Sequence, residues 1–257
     1  FLKRPGLLWL AVTITLVFFS IQMMADRLTT RPEIFGYLLF STLFWILNSS
    51  LPKRHFPLFL ASCSLIITLC VNLHISFIFG LILIWIWSGC KILNTELQIL
   101  NKKHKRGPSF LAILRQSRIT LCVTAISTLV TLFNPSGLRG ALMPLSILKD
   151  YGYTIVENMT PFFLSAFKPQ PEYWIYSTFL ITAIVLFLFS PVKKNSFHLL
   201  TFLIFSLFPL IAVRHLPFFA LTIVPVIAPL IYEKFVLQSR IPLRGTKLPI
   251  LVASGLL

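Results

Sequence analysis

The sequence predicts an all-α fold, a polytopic transmembrane helix bundle of about eight spans plus a truncated ninth. Three observations predict it. Of 257 residues, 56% are hydrophobic and only 12% are charged, where a soluble domain carries about 25% charged residues. Apolar runs of near-span length follow one another, separated by short basic segments. The basic residues also fall on alternate sides of successive runs, as the orientation rule for membrane helices requires. No soluble fold of this size keeps so much apolar surface out of water, so the bilayer is part of the solvent.

The runs lie at about residues 6–24, 34–50, 56–71, 75–90, 119–133, 173–190, 197–213 and 216–232, with a further run beginning near Leu248. Several are shorter than the roughly 20 residues of an average span, which local thinning or neighbouring helices accommodate. Gly6–Met24 is too long for a signal-peptide core and lacks a small-x-small exit. The chain opens on Phe1 and closes inside a new apolar run, so it reads as a fragment of a longer polypeptide forming a single bundle.

Residues 56–90 contain no Asp, Glu, Lys or Arg. As one helix they would be about 50 Å long against a hydrocarbon core of about 30 Å. Lys53 and Arg54 precede them and Lys91 follows. With both ends on the basic side, the chain crosses twice and turns at its polar interruption, Val71-Asn72-Leu73-His74.

The net charge is +16. In a soluble protein that would raise nucleic acid as a partner. Here apolar runs segment the charge, which points to orientation and to membrane lipids as the surroundings, with no nucleic acid. Placing the N-terminus, 51–55, the basic loop 91–118, 191–196 and 233–247 in the cytoplasm puts 17 of the 23 Lys and Arg residues there. Asp26, Glu33, Asp150, Glu157 and Glu172 fall on the other side. The cluster Asn101–Gly107 is then a topology signal that also suits anionic lipid heads. The longest outer segment, 134–172, opens with the turn signature Asn134-Pro135-Ser136-Gly137. Ala141–Val156 then has the mixed pattern of a short helix lying in the interface, with Tyr151, Tyr153, Tyr173, Trp174 and Tyr176 as an aromatic belt.

Cys63, Cys70, Cys90 and Cys122 lie in or beside apolar runs without metal-ligand or disulfide spacing, so they read as packing residues. No metal site and no cofactor is called for. The residues that need explaining are polar groups at the outer ends of spans, because charge near a membrane core is costly. Arg27 and Arg31 are either loop residues beside a Pro-initiated helix or a pair facing a phosphate, whose oxygens suit the planar guanidinium fork. Asn72 belongs in a turn, whereas His74 there is odder and able to bind phosphate or exchange a proton. Asn134 fits turn chemistry, and Arg139 serves as an interfacial anchor or a ligand contact. Glu157 lies close in sequence to Phe162 and Phe163, a setting expected to raise a carboxyl pKa and suit it to proton transfer. Asn158-Met159-Thr160 matches a glycosylation acceptor, but Pro161 follows it. Arg214 and His215, between two long apolar runs, either snorkel or serve a site. Pro209, Pro217, Pro225 and Pro229 flank them, and the carbonyls they free need partners.

Arg31-Pro-x-x-Phe35, Val71-Asn-Leu-His74 with Phe77 and Gly80, Asn134-Pro-x-Gly-Leu-Arg139, Glu157 with Pro161, and Arg214-His-Leu-Pro-Phe-Phe-Ala-Leu221 occur in that order. In this order the chain resembles, over residues 27–230, bacterial polytopic proteins of the GT-C type, akin to lipid-linked-sugar glycosyltransferases and protein mannosyltransferases. The resemblance implies a helical bundle in the bacterial inner membrane with a polyprenyl-phosphate-linked sugar donor on its outer face. Glu157 and His74 would then be catalytic, and Arg27, Arg31, Asn72, Asn134, Arg139, Arg214 and His215 would bind substrate. Two departures stand out: Asn158-Met159 replaces an aromatic after the Glu, and Ile75-Ser76 replaces small residues after the His. The catalytic acid of such enzymes, in the first outer loop, would precede Phe1. An O-antigen polymerase or ligase is an alternative reading, as is a transporter or flippase, although the span centres carry none of the charge that ion coupling uses.

Overall fold

The computed structural model describes residues 7–28, 31–102, 110–146, 156–189 and 195–232. Among these residues all regular structure is helical. The eight apolar runs correspond to α1 (Leu7–Met24), α2 (Glu33–Asn48), α4 (Phe56–Leu73), α5 (Phe77–Lys102), α6 (Phe110–Leu129), α9 (Pro171–Phe189), α10 (Ser196–Ile211) and α11 (Leu216–Tyr232). Three shorter helices join them: α3 (Leu51–Arg54), α7 (Gly137–Ser146) and α8 (Pro161–Phe167).

Among the described residues, five helices are long and apolar enough to cross a membrane, and the bent pair Ser117–Leu132 and Gly137–Ser146 makes up to six. By their length and composition the chain is a multi-pass membrane protein, all-helical among the described residues. α2 and α10, at 16 residues each, are apolar but shorter. The run near Leu248, the basic residues 103–109 and the stretch 147–155, with Lys149, Asp150, Tyr151 and Tyr153, lie outside the described residues.

Two boundaries differ from the sequence reading. α5 continues to Lys102 and α6 begins at Phe110, so most of the expected loop 91–118 is helical. Hydropathy marks only the apolar part of a helix, while Lys, Glu and Gln extend it at little cost in propensity. In the outer segment the expected interfacial helix starts earlier, as α7, and α8 follows it. Thr160 caps α8, its Oγ1 accepting from the Phe163 N–H at 3.1 Å with Pro161 in the first turn.

The helices group into two compact units, Phe1–Tyr37 with Gly152–Leu257, and Leu38–Tyr151. In the first unit α11 is the central helix, packed against α1, α9 and α10. Phe219, Ile223, Val226 and Ile227 are its fully buried core. Small residues bring α1 and α11 together: Ser20 Oγ donates to the Ala220 carbonyl at 2.6 Å. Tyr176 on α9 is wholly buried, its ring edge-to-face with Phe219 at 5.0 Å and its hydroxyl donating to the Ser206 carbonyl of α10 at 2.7 Å. One side chain thus ties three helices.

In the second unit α4, α5 and α6 pack together. The rings of Phe59 and Trp87 meet at a tilt of 46° with centroids 5.3 Å apart, and Cys63, Cys70 and Cys90 are buried as packing residues. Gly80 lets α5 approach closely, since a Cβ there would lie 3.1 Å from Ile67 Cδ1 and 3.4 Å from Leu43 Cδ2. Thr124 and Ser88 hydroxyls pair at 2.6 Å between α6 and α5. The chain then turns 101° into α7, where Gly137 adopts φ 53°, a conformation natural to glycine. α7 exposes Leu138, Leu142, Met143 and Leu145 across the direction of α6, as a helix in the interface would.

The three-helix role of Tyr176 generates an ordered prediction for thermal unfolding in detergent. Tyr176→Phe loses the hydroxyl alone and lowers stability by about 0.5–1.5 kcal/mol. Tyr176→Ala also leaves a cavity and costs about 3–5 kcal/mol. Equal losses for the two would show that the ring contributes nothing.

Candidate functional site

The first unit gathers three of the candidate residues into one ionic cluster. α1 ends at the buried Met23 and Met24, and a 3-10 turn, Ala25–Arg27, carries Arg27 inward. Arg27 is 9% exposed. Arg31 sits just ahead of α2, where its carbonyl accepts from the Ile34 N–H at 3.2 Å. Glu157 stands on a second 3-10 turn, Val156–Asn158. Its Oε2 lies 3.0 Å from Arg27 Nη1, and its Oε1 accepts from Arg31 Nη1 at 3.4 Å. A cation ahead of a helix N-terminus is unfavourable against the helix dipole, and Glu157 offsets it from across the turn.

The contact with Arg27 is close but is not aligned as a hydrogen bond. Among the described residues, Arg27 Nη1 and Asn158 Oδ1 are buried polar atoms without a hydrogen-bond partner in the protein. Such a buried cation is tolerated only beside a counter-charge. Burial pushes the Glu157 carboxyl up, but Arg27 and then Arg31 outweigh it and hold the group below the ordinary carboxyl value. The sequence expectation of a raised value is therefore corrected. Its premise was an apolar surround, yet Phe162 and Phe163 lie exposed on α8, and the groups that meet the carboxylate are two guanidiniums.

The Met159 carbonyl accepts from the Val213 N–H at 2.8 Å. This bond ties the Glu157 turn to the 3-10 turn Val213–His215, so Arg214 and His215 share the neighbourhood. His215 donates from Nδ1 to the Phe208 carbonyl at 3.0 Å. The imidazole thereby completes the end of α10, just beyond Pro209. Arg27 and Arg214 both act electrostatically on His215. On the other flank the Tyr37 hydroxyl donates to Glu33 Oε2 at 3.1 Å, within electrostatic reach of Arg27 and Arg31.

The sequence reading missed a second polar group in the same unit. With its amide nitrogen toward the carboxylates, Gln170 donates to Asp26 Oδ2 at 2.9 Å and to Glu172, and its oxygen accepts from Lys168 Nζ at 3.0 Å. Asp26 and Glu172 read from sequence only as charges on one side, and nothing in their spacing marks them as neighbours.

The remaining candidates belong to the second unit, where the described contacts of Asn72, His74 and Asn134 are to backbone groups. Asn72 donates from Nδ2 to the carbonyls of Thr68 and Phe133, both at 2.8 Å. His74 Nδ1 accepts from the Ser76 N–H at 3.2 Å as the chain enters α5. Asn134 donates to the Thr131 and Gly137 carbonyls at 2.7 and 2.8 Å and accepts from the Ser136 N–H at 2.9 Å, which forms the corner before α7. Arg139 is exposed on α7.

The ion pairs fix a pH dependence. A carboxyl held below its ordinary value in the folded state contributes stability that is fully present above the unfolded value and is lost as pH falls through the folded one. The stability gap between the wild type and Glu157→Gln, followed by thermal unfolding in detergent, is therefore constant near neutrality and closes only below pH 4.5, the ordinary carboxyl value. A gap that stays constant down to pH 3 would show that Glu157 is not the group that titrates.

Comparison of the chain with protein-family models, with curated proteins and with solved structures gave no match.

Proposed function

We propose that this chain is the membrane-embedded part of a GT-C-type glycosyltransferase that takes its sugar from a polyprenyl-phosphate-linked donor at the extracytoplasmic face of the bacterial inner membrane. One observation carries the reading: a buried arginine, Arg27, and a half-exposed one, Arg31, converge on a single point at the ends of helices otherwise built to sit in lipid. Converging guanidiniums match the oxygens of a phosphate, and apolar helices of span length match its prenyl chain. Inorganic or nucleotide phosphates would suit the arginines equally, but not the setting.

In this reading Arg27 and Arg31 hold the donor phosphate, and Arg214 adds positive charge from the neighbouring turn. The bond from the sugar anomeric carbon to the phosphate oxygen breaks, and the electron pair leaves with the phosphate, which the arginines stabilise. A new bond forms from the same carbon to an acceptor hydroxyl. Glu157 takes the hydroxyl proton as general base. The proposal also carries the orientation: eight spans and the start of a ninth, with the N-terminus cytoplasmic. The alternation of the basic residues supports it, and the 16-residue α2 and α10 would cross where the bilayer is thinned, at about 24 Å.

The test is transfer from a panel of polyprenyl-phosphate-linked sugars by the protein in lipid nanodiscs. Loss of a charged hydrogen bond to the leaving phosphate costs about 1.5–3 kcal/mol. Arg31→Ala should therefore lower kcat/KM roughly tenfold to a hundredfold, and Arg27→Lys, which keeps the charge but loses the fork, by a smaller factor. Wild-type turnover in both variants, each still monodisperse, would rule out the arginines as the phosphate site.

A further inference from the structure

Resting on the phosphate-binding reading above, we infer that Glu157 is a resident counter-ion which holds Arg27 and Arg31 until a phosphate group displaces it, so that occupation of the arginines is what releases the carboxylate for its role as base.

The geometry argues for exchange rather than for a permanent salt bridge. Glu157 commits one oxygen to each arginine, and neither contact is good: the 3.0 Å approach to Arg27 leaves Nη1 without an aligned acceptor, and the Arg31 bond is long at 3.4 Å. A planar carboxylate offers two oxygens in one plane. A phosphate group sets its non-bridging oxygens, two in a diester and three in a monoester, out from a tetrahedral centre, and these can accept from both guanidinium forks, including the N–H that Glu157 leaves unpaired.

Burial divides the cluster into a fixed part and a movable part. The Arg27 side chain is 11% exposed, while those of Arg31 and Glu157 are 47% and 42% exposed. Glu157 can rotate outward and be hydrated there, and Arg31 can be reached from outside. Arg27 cannot stay buried without an anion beside it. One anion must therefore arrive as the other leaves, which makes the exchange one for one. The bond from the Val213 N–H to the Met159 carbonyl holds the backbone beside Glu157 in place, so release needs only a side-chain rotation.

The consequence is an ordering of events. Paired with two cations, Glu157 is a poor base. Beside a bound phosphate anion its proton affinity rises, so the carboxylate becomes competent only with donor in place. The chemistry recognised is a phosphate or diphosphate group, which a lipid-linked sugar or a free anion supplies.

The test measures binding to the protein in nanodiscs with two probes, inorganic pyrophosphate and a polyprenyl phosphate incorporated in the lipid. Glu157→Gln removes the competitor and should tighten binding roughly tenfold, while Arg31→Ala weakens it. Should Glu157→Gln not fold, Glu157→Asp, one methylene shorter, carries the same test with a smaller gain. Gain with the polyprenyl phosphate alone identifies a lipid-linked ligand, and gain with both probes identifies recognition of the anion itself. Binding that is unchanged or weaker without the Glu157 carboxylate, while Arg31→Ala still weakens it, overturns the exchange and leaves the arginine site standing. Binding of neither probe by any form overturns both.

Discussion

An apolar surround leaves each polar group to find its partner inside the protein, and that constraint orders this chain from its helix ends to its site. The Ser20 hydroxyl is placed on the Ala220 carbonyl and the Tyr176 hydroxyl on that of Ser206. His215 closes the end of α10, and Asn134 closes the corner before α7. Arg27 is the most demanding case, because it is a buried cation. Its counter-charge must come from the chain or from a ligand, and Glu157 is the residue that supplies it.

The same constraint sets two kinds of polar contact apart. Asn72, His74 and Asn134 bond to backbone groups at the turns of the second unit, Asn72 also reaching the Phe133 carbonyl beyond the end of α6. The pairing of Arg27 and Arg31 with Glu157 is different in kind. It links an acid to bases far away in sequence, is only loosely aligned and faces partly outward. A stabilising device would be expected to show shorter bonds and complete burial. A device for exchanging anions needs one arginine fixed and the other groups accessible.

Much of the fold was legible in the sequence because lipid imposes a simple code. Each of the eight apolar runs became a helix, and the turn at Asn72–His74 falls between α4 and α5 where the charge argument put it. The extension of α5 to Lys102 was not legible, since beyond the apolar stretch the helix is carried by polar residues that hydropathy ignores. The division into two units was equally hidden, as it depends on which helices pair. Within the site, Arg27, Arg31 and Glu157 were each marked by being charged at the end of a span, but their convergence was invisible across more than a hundred residues. The misjudged proton affinity of Glu157 has the same origin. Sequence proximity pointed to Phe162 and Phe163, while the fold brought two arginines.

The central claim is that the Arg27 charge is compensated by Glu157, and a double-mutant cycle tests it most directly. Stability would be measured at neutral pH in detergent for Arg27→Met, Glu157→Gln and the double variant. Removing Glu157 alone leaves Arg27 buried without its counter-charge, a cost that vanishes when Arg27 is also replaced, so the double variant is expected to lose less than the two single losses together, with a coupling on the order of 1 kcal/mol or more. Strictly additive losses would contradict it, because the two charges would then be neighbours without being partners.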